Sequence, residues 1–189
     1  MDVLLSVCLG IGLAAAAGFR IFLPLLALSV AAYLGWVDLN ENWLWLGGWQ
    51  TLILLGLATV LELLAYYIPW FDNALDTIAV PLATVAGTIL FFVTLGNFDP
   101  WVSWALAIIG GGGTAGLIAG STATARAAST TTTMGFANPV FATLEAVFST
   151  FLSILALIFP ILALILVIYI IYRLVRFFRK RKRNSDTKL

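Results

Sequence analysis

Four charged side chains stand inside or at the edge of long apolar runs: Arg20, Glu62, Arg126 and Glu145. A charge at the centre of a membrane helix costs about 2.5–3.5 kcal/mol on insertion scales. These groups are therefore expected to pair with one another or to face a hydrated cavity. Arginine keeps its charge at any working pH, and its planar fork matches a carboxylate or phosphate through two parallel hydrogen bonds. The chemistry suggested is recognition of an anion, with Arg20 and Arg126 as ligands.

Arg126 lies in the most distinctive stretch of the chain, residues 110–145, which opens with four glycines. Ser121, Thr122, Thr124, Ser129 and the threonines at 130–133 surround it, and Asn138-Pro139 precede Glu145. A helix start near Pro139, with its free amides turned inward, would add to an anion-binding surface. Thr122 and Asn138 thus join the four charges as candidate substrate contacts. Two plainer readings stand beside this one. Hydroxyls in helices ordinarily bond their own backbone, and Arg–Glu pairs can simply hold helices together.

The elements that position these residues must be membrane helices. Of 189 residues, 62% are hydrophobic and 10% charged, and the mean hydropathy is +1.06. Soluble domains sit near half apolar and a quarter charged. The fold class is all-α, a polytopic transmembrane bundle of about six segments, some of them broken. There is no histidine, and Cys8 is the one cysteine. That inventory excludes an internal disulfide, a Cys/His zinc site and histidine-based acid–base catalysis. No phosphate-binding or dinucleotide fingerprint occurs either, so neither an enzyme nor a cofactor or metal is expected.

Residues 3–37 are apolar except for Arg20 and Pro24, and exceed the ~20 residues needed to span hydrocarbon. They form one tilted helix or two pieces broken between residues 18 and 24. Asp2 stands where a signal peptide would carry a basic residue, so no cleaved signal is expected. Residues 38–48 make a polar loop flanked by Trp36, Trp43, Trp45 and Trp49, suited to a membrane interface. Residues 51–69 span, 69–76 read as an acidic turn or re-entrant piece, and 78–95 span again. After a turn at 96–101, spans follow at 102–128, 139–159 and 161–178, with Pro160 as a break or kink.

Two halves, 1–98 and 99–178, share an order of features. Gly10, Ala14 and Gly18 precede Arg20, Pro24 and Glu62; Gly112, Gly116 and Gly120 precede Arg126, Pro139 and Glu145. Small residues four apart occupy one helix face and let backbones approach closely. Halves of three spans each would be related by inversion, the plan of many secondary transporters. Gly, Ala and Thr are also common in membrane helices, so chance similarity remains the competing explanation.

Residues 1–178 form one domain, and 179–189 a polybasic tail. Eight of the ten basic residues lie between Arg173 and Lys188. Arg176, Arg179, Lys180, Arg181, Lys182 and Arg183 are expected to contact anionic lipid headgroups, each contributing about 1 kcal/mol. Nucleic acid is not an expected partner, whereas a homo-oligomer is allowed. Basic residues stay inside, which places the C-terminus in the cytoplasm and the protein in the inner (plasma) membrane.

The segments GLAAAAGFRIFLPLLAL, ELLAYYIPWFDNALD and the later R-AAST and NP motifs resemble an uncharacterised bacterial membrane family known only as a domain of unknown function. The resemblance reaches to about Pro160. This chain departs from the pattern at Tyr66-Tyr67, Val80 and Ala146, where the family's usual residues are charged. The resemblance implies a membrane fold and no established activity. Together the residues predict a small transporter or channel-like protein for an anionic solute or lipid headgroup, or else a scaffold held by Arg–Glu pairs. A topology reporter fused after Leu189 should be active only on the cytoplasmic side; activity on the opposite side would overturn the orientation.

Overall fold

The computed structural model describes residues 3–39, 41–95, 98–133 and 136–186, excluding the side chains of 69–74, 76 and 177–186. Among the described residues eight α-helices follow in order: α1 Val3–Ala17, α2 Phe22–Tyr33, α3 Trp49–Ala65, α4 Pro69–Thr94, α5 Pro100–Leu106, α6 Gly113–Thr133, α7 Asn138–Ile158 and α8 Pro160–Asp186. A 3-10 segment, Glu41–Gly47, precedes α3, and a π segment, Ala107–Gly112, joins α5 to α6. No strand occurs among the described residues. The protein is an all-α bundle.

α1 is the central post. Leu9, Leu13 and the alanines at 14–17 are all buried, and α4, α6, α7 and α8 pack around them. A helix apolar all round belongs in the middle of a bundle, and its alanines and glycines allow the neighbours to approach closely. A Cβ on Gly12 would meet that of Ala156 in α7 at 2.7 Å, and one on Gly18 would meet the Ala115 carbonyl of α6 at 2.8 Å.

The first apolar run is broken, as one of the two sequence readings allowed. α1 stops at Ala17, and α2 starts at Phe22. Pro24 explains the position: in a continuous helix its ring would strike the carbonyl four residues back, that of Arg20. Within the first turn of α2 its missing amide costs nothing. Pro160 acts likewise on the carbonyl of Ala156, so α7 and α8 are separate helices and not one kinked rod.

The chain departs from the sequence reading at residues 69–76, which are helix and not a turn. Pro69 occupies the first position of α4, where proline is favoured, and the helix then runs through Pro81 to Thr94. The side chains of Asp72 and Asp76 lie outside the described set. At the other corner Asp99 accepts the amide of Trp101 at 3.0 Å and caps α5.

Among the described residues, three helical stretches are long and apolar enough to cross a membrane: Thr77–Thr94, Pro100–Thr133 and Asn138–Ile158. A fourth arises if the 3-10 segment and α3, bent by 60° at their junction, count as one. α1 and α2 are apolar but only 15 and 12 residues long. The spans expected at 51–69, 78–95, 102–128 and 139–159 thus correspond to these stretches, the first apolar run is two short helices, and the span expected at 161–178 falls in α8, whose side chains are described only to 176. Large apolar side chains such as Leu54, Leu61, Val147, Phe151, Ile165 and Ile168 face outward. Arg20, Arg126, Glu145, Ser149 and Ser153 face inward. That inversion fits a lipid solvent, which offers polar groups nothing.

The glycine-rich stretch packs on α4, in part as its spacing predicted. A Cβ on Gly112 would lie 2.6 Å from Thr88 Oγ1, and one on Gly116 2.7 Å from Thr84 Oγ1. Gly120, expected to continue that contact, has open space beside it. Gly87 and Gly111 make a closer approach that the four-residue spacing missed. A Cβ on Gly87 would sit 2.8 Å from the Gly111 carbonyl, and one on Gly111 would strike the Gly87 carbonyl. Backbone, unlike a hydroxyl at the end of a side chain, cannot move aside. We expect Gly87→Val to lower the apparent melting temperature in detergent strongly, Gly116→Leu moderately and Gly120→Leu hardly at all. Equal stability of the Gly87→Val variant and the parent would remove the packing claim.

Candidate functional site

The break between α1 and α2 sets the site in the middle of the bundle. The carbonyl of Ala16, near the end of α1, accepts the amides of Phe19 and Arg20 and the hydroxyl of Ser149, at 3.0, 3.1 and 3.0 Å. At the start of α2, the first free amides meet a carboxylate. Glu62 Oε1 accepts the amide of Ile21 at 2.9 Å, and Oε2 that of Phe22 at 3.0 Å. A carboxylate is the group that the positive end of a helix best accommodates.

Arg20, between the two half-helices, is only 1% exposed. Its Nη2 donates to the Ala142 carbonyl of α7 at 2.8 Å and lies 3.2 Å from Glu145 Oε2. Arg126 of α6 is 2% exposed, and its Nη1 is 3.5 Å from the same Glu145 oxygen. Each arginine was expected near Glu62 or Glu145, and both converge on Glu145. Glu62 forms no salt bridge among the described residues; its partners are backbone amides.

Tyr66, at the end of α3, sets its ring against both cations. The Arg20 guanidinium carbon lies 3.7 Å from its ring centre, and that of Arg126 4.6 Å. A desolvated cation over an aromatic face gains about 2 kcal/mol or more. Sequence reasoning missed this role. Tyr66 stands four residues after Glu62, the spacing that places two side chains on one helix face.

Beside the cluster is a cavity of about 20 Å³, lined among others by Gly18, Glu62, Tyr66, Thr122, Arg126 and Glu145. That volume holds about one water molecule. Arg20 does not line it. Of the six candidate contacts, the structure gathers Arg20, Glu62, Arg126 and Glu145 with Thr122 at the cavity wall. Asn138 stands apart, donating from Nδ2 to Thr130 Oγ1 at 3.2 Å and so tying α6 to α7.

Most of the hydroxyls follow the plainer reading; Thr130 instead meets the Asn138 side chain. Ser121, Thr122, Thr124, Thr131, Thr132 and Thr133 each bond a carbonyl of their own helix at 2.7–3.1 Å. No cluster of three or more His, Cys, Asp or Glu side chains able to hold a metal occurs among the described residues. Arg176 is exposed near the far end of α8. The helix continues through Arg179, Lys180, Arg181, Lys182 and Arg183, whose side chains lie outside the described set.

A bundle with apolar helices outside and charges buried at its centre defines an integral membrane protein. Residues 7–180 match the family described as Domain of unknown function (DUF4126), and the chain belongs to that family. No curated protein and no solved structure matches it.

Removing one member of a buried ion pair costs about 3–5 kcal/mol, because the remaining charge stays buried. Glu145 serves two cations, so Glu145→Ala should destabilise more than Arg126→Ala. Unfolding of the detergent-solubilised variants tests this order, and the reverse order would show that Glu145 is not the hub.

Proposed function

We propose that this chain is a small transporter or channel-like protein for an anion, seated in the plasma (inner) membrane with its C-terminus in the cytoplasm. The observation that carries this reading is Glu62. Its carboxylate sits on the free amides of a half-helix inside the bundle, beside the two arginines. Discontinuous helices whose N-termini face an anion near the midplane are the working parts of many secondary transporters. Glu62 occupies the place of such an anion. A cavity of about 20 Å³ lies next to it.

The paired order of glycines, arginine, proline and glutamate supports an inverted-repeat plan. The surroundings of the two arginines differ, however, since Arg20 lies in a break and Arg126 within α6. The reading assigns the chain no catalytic centre, and the missing histidine supports that. A homo-oligomer is compatible with it, and the basic tail supplies the contact with anionic headgroups.

The scaffold reading is favoured by one observation: the cavity is water-sized and leaves Arg20 outside its lining. A double-mutant cycle on Arg126 and Glu145 separates the two. Arg126→Ala with Glu145→Ala should recover part of the stability that each single variant loses. A transporter so altered should fold yet lose the stabilisation that acetate or inorganic phosphate gives the parent in a thermal shift. If neither anion stabilises the parent, and uptake into proteoliposomes is absent, the scaffold reading stands.

A further inference from the structure

The two short helices that open the chain have their outer ends at one face of the bundle. α1 starts beside the end of α4: a Cβ on Gly10 would lie 3.2 Å from the Phe91 backbone, and the Thr94 hydroxyl is nearer still. At its other end, Ala17 and Gly18 share the lining of the polar cavity with Ala83, so α1 runs antiparallel to α4. α2 starts at that level, where the amides of Ile21 and Phe22 meet Glu62. Further along α2, Ser29 Oγ donates to the Leu46 carbonyl, and a Cβ on Gly47 would lie 3.2 Å from that of Ala32. Leu46 and Gly47 belong to the 3-10 segment, whose Trp43 ring centre is 6.2 Å from that of Phe92 in α4. Both outer ends therefore lie at the last turns of α4. With 15 and 12 residues, α1 and α2 are about 22 and 18 Å long, short of the ~30 Å of hydrocarbon.

We propose that α1 and α2 form a re-entrant hairpin and not a broken span, and that the cavity beneath its tip is a water site filled from the opposite face, that of the basic tail. The inference stands independently of the anion reading. Irregular backbone at membrane depth is tolerated where protein buries it or water meets it, and Gly18 and Arg20 at the tip are buried. The cavity lies beyond that tip. Its lining runs past Ala83 to Ala79, one turn nearer the start of α4, to Tyr66 at the end of α3 and to Arg126 of α6. Its volume of about 20 Å³ and its polar partners Glu62, Thr122, Arg126 and Glu145 meet both requirements for holding a water. The cover on the tail side is thin. Arg126 is about 10 Å from the end of α6, and Glu145 about 10 Å from the start of α7 but about 20 Å from its end at Ile158. In the other direction α1 itself fills the route, with Leu9 and Leu13 buried. α8 passes Gly12 with Ala163 and lines a groove beside Phe19 with Ile170 and Leu174, so it runs with α1 and carries the tail past the tip. α3, α4, α5 with α6, α7 and α8 then make five crossings, which puts Val3 and the tail on opposite faces. An inverted pair of three-span halves would put both ends on one face, so the two plans exclude each other.

The test uses full-length single-cysteine variants in a Cys8→Ser background, in right-side-out and inverted vesicles with a membrane-impermeant maleimide. Val3→Cys and Trp36→Cys, both at exposed positions, should label from the same face, and Ser185→Cys from the other. Labelling of Val3→Cys and Trp36→Cys from opposite faces would overturn the hairpin. Thr122→Cys and Ala123→Cys, in the cavity wall, report on water access through silver ions, which are close to water in size and block later maleimide labelling of the unfolded chain. Silver on the tail face should block both cysteines several-fold faster than silver on the other face. Cys8 of the parent, buried in α1, should resist silver from either face. Equal or reversed rates at both cavity positions would overturn filling from the tail face. Neither readout uses an anion, so failure here leaves the anion reading to its own thermal-shift test.

Discussion

One carboxylate oxygen, Glu145 Oε2, stands within ion-pair distance of two buried guanidiniums. To make that possible, three parts of the chain must reach one point: the break after α1, the middle of α6 and the first half of α7. Each arginine would cost several kcal/mol alone in hydrocarbon, so the arrangement is a condition of folding before it is a condition of function. The small residues serve this end. Gly18 lets the break lie against Ala115 and Ile118 of α6, and Gly12 lets α7 and α8 close on α1. A methyl group at either position would push apart the elements that carry the charges.

The break makes a second demand, since every interrupted helix leaves free carbonyls at one end and free amides at the other. In water these could remain open. In lipid they need protein partners. Ser149 answers the Ala16 carbonyl, and Glu62 answers the amides of Ile21 and Phe22. Glu62 is thereby engaged by backbone amides, while Glu145 stands beside both arginines. Tyr66 adds the negative face of its ring to both cations at no cost in buried charge.

What the sequence shows clearly is what lipid makes expensive. Arg20, Glu62, Arg126 and Glu145 are conspicuous because nothing around them is polar, and Pro24 marks the break because proline chemistry is local. The partner of each charge was less legible. Glu62 was expected to meet an arginine and meets backbone amides instead, because a helix N-terminus carries no letter in the sequence. Tyr66 was overlooked for a related reason: an aromatic residue among so many aromatics gives no signal until two cations approach it. The Gly87–Gly111 contact escaped because the π segment shifts the phase of the helix face, so a count of every fourth residue points past it. Residues 69–76 read as a turn because Pro, Asn and Asp usually break helices, yet Pro69 at the first position starts one. Asn138 looked like part of the cluster from its nearness in sequence to Glu145. Two turns of α7 separate them, and Asn138 belongs to the α6–α7 corner.

The segment from Phe19 to Ile21 gathers these constraints into three consecutive residues. Phe19 stacks on Phe148, Arg20 binds Glu145, and the amide of Ile21 binds Glu62. The amides of Phe19 and Arg20 also bond the Ala16 carbonyl, and Arg20 bonds the Ala142 carbonyl, so this backbone is held from several sides. A bundle whose packed helices resist deformation therefore carries at its centre one short joint in which aromatic packing, charge pairing and helix capping fall on three consecutive residues.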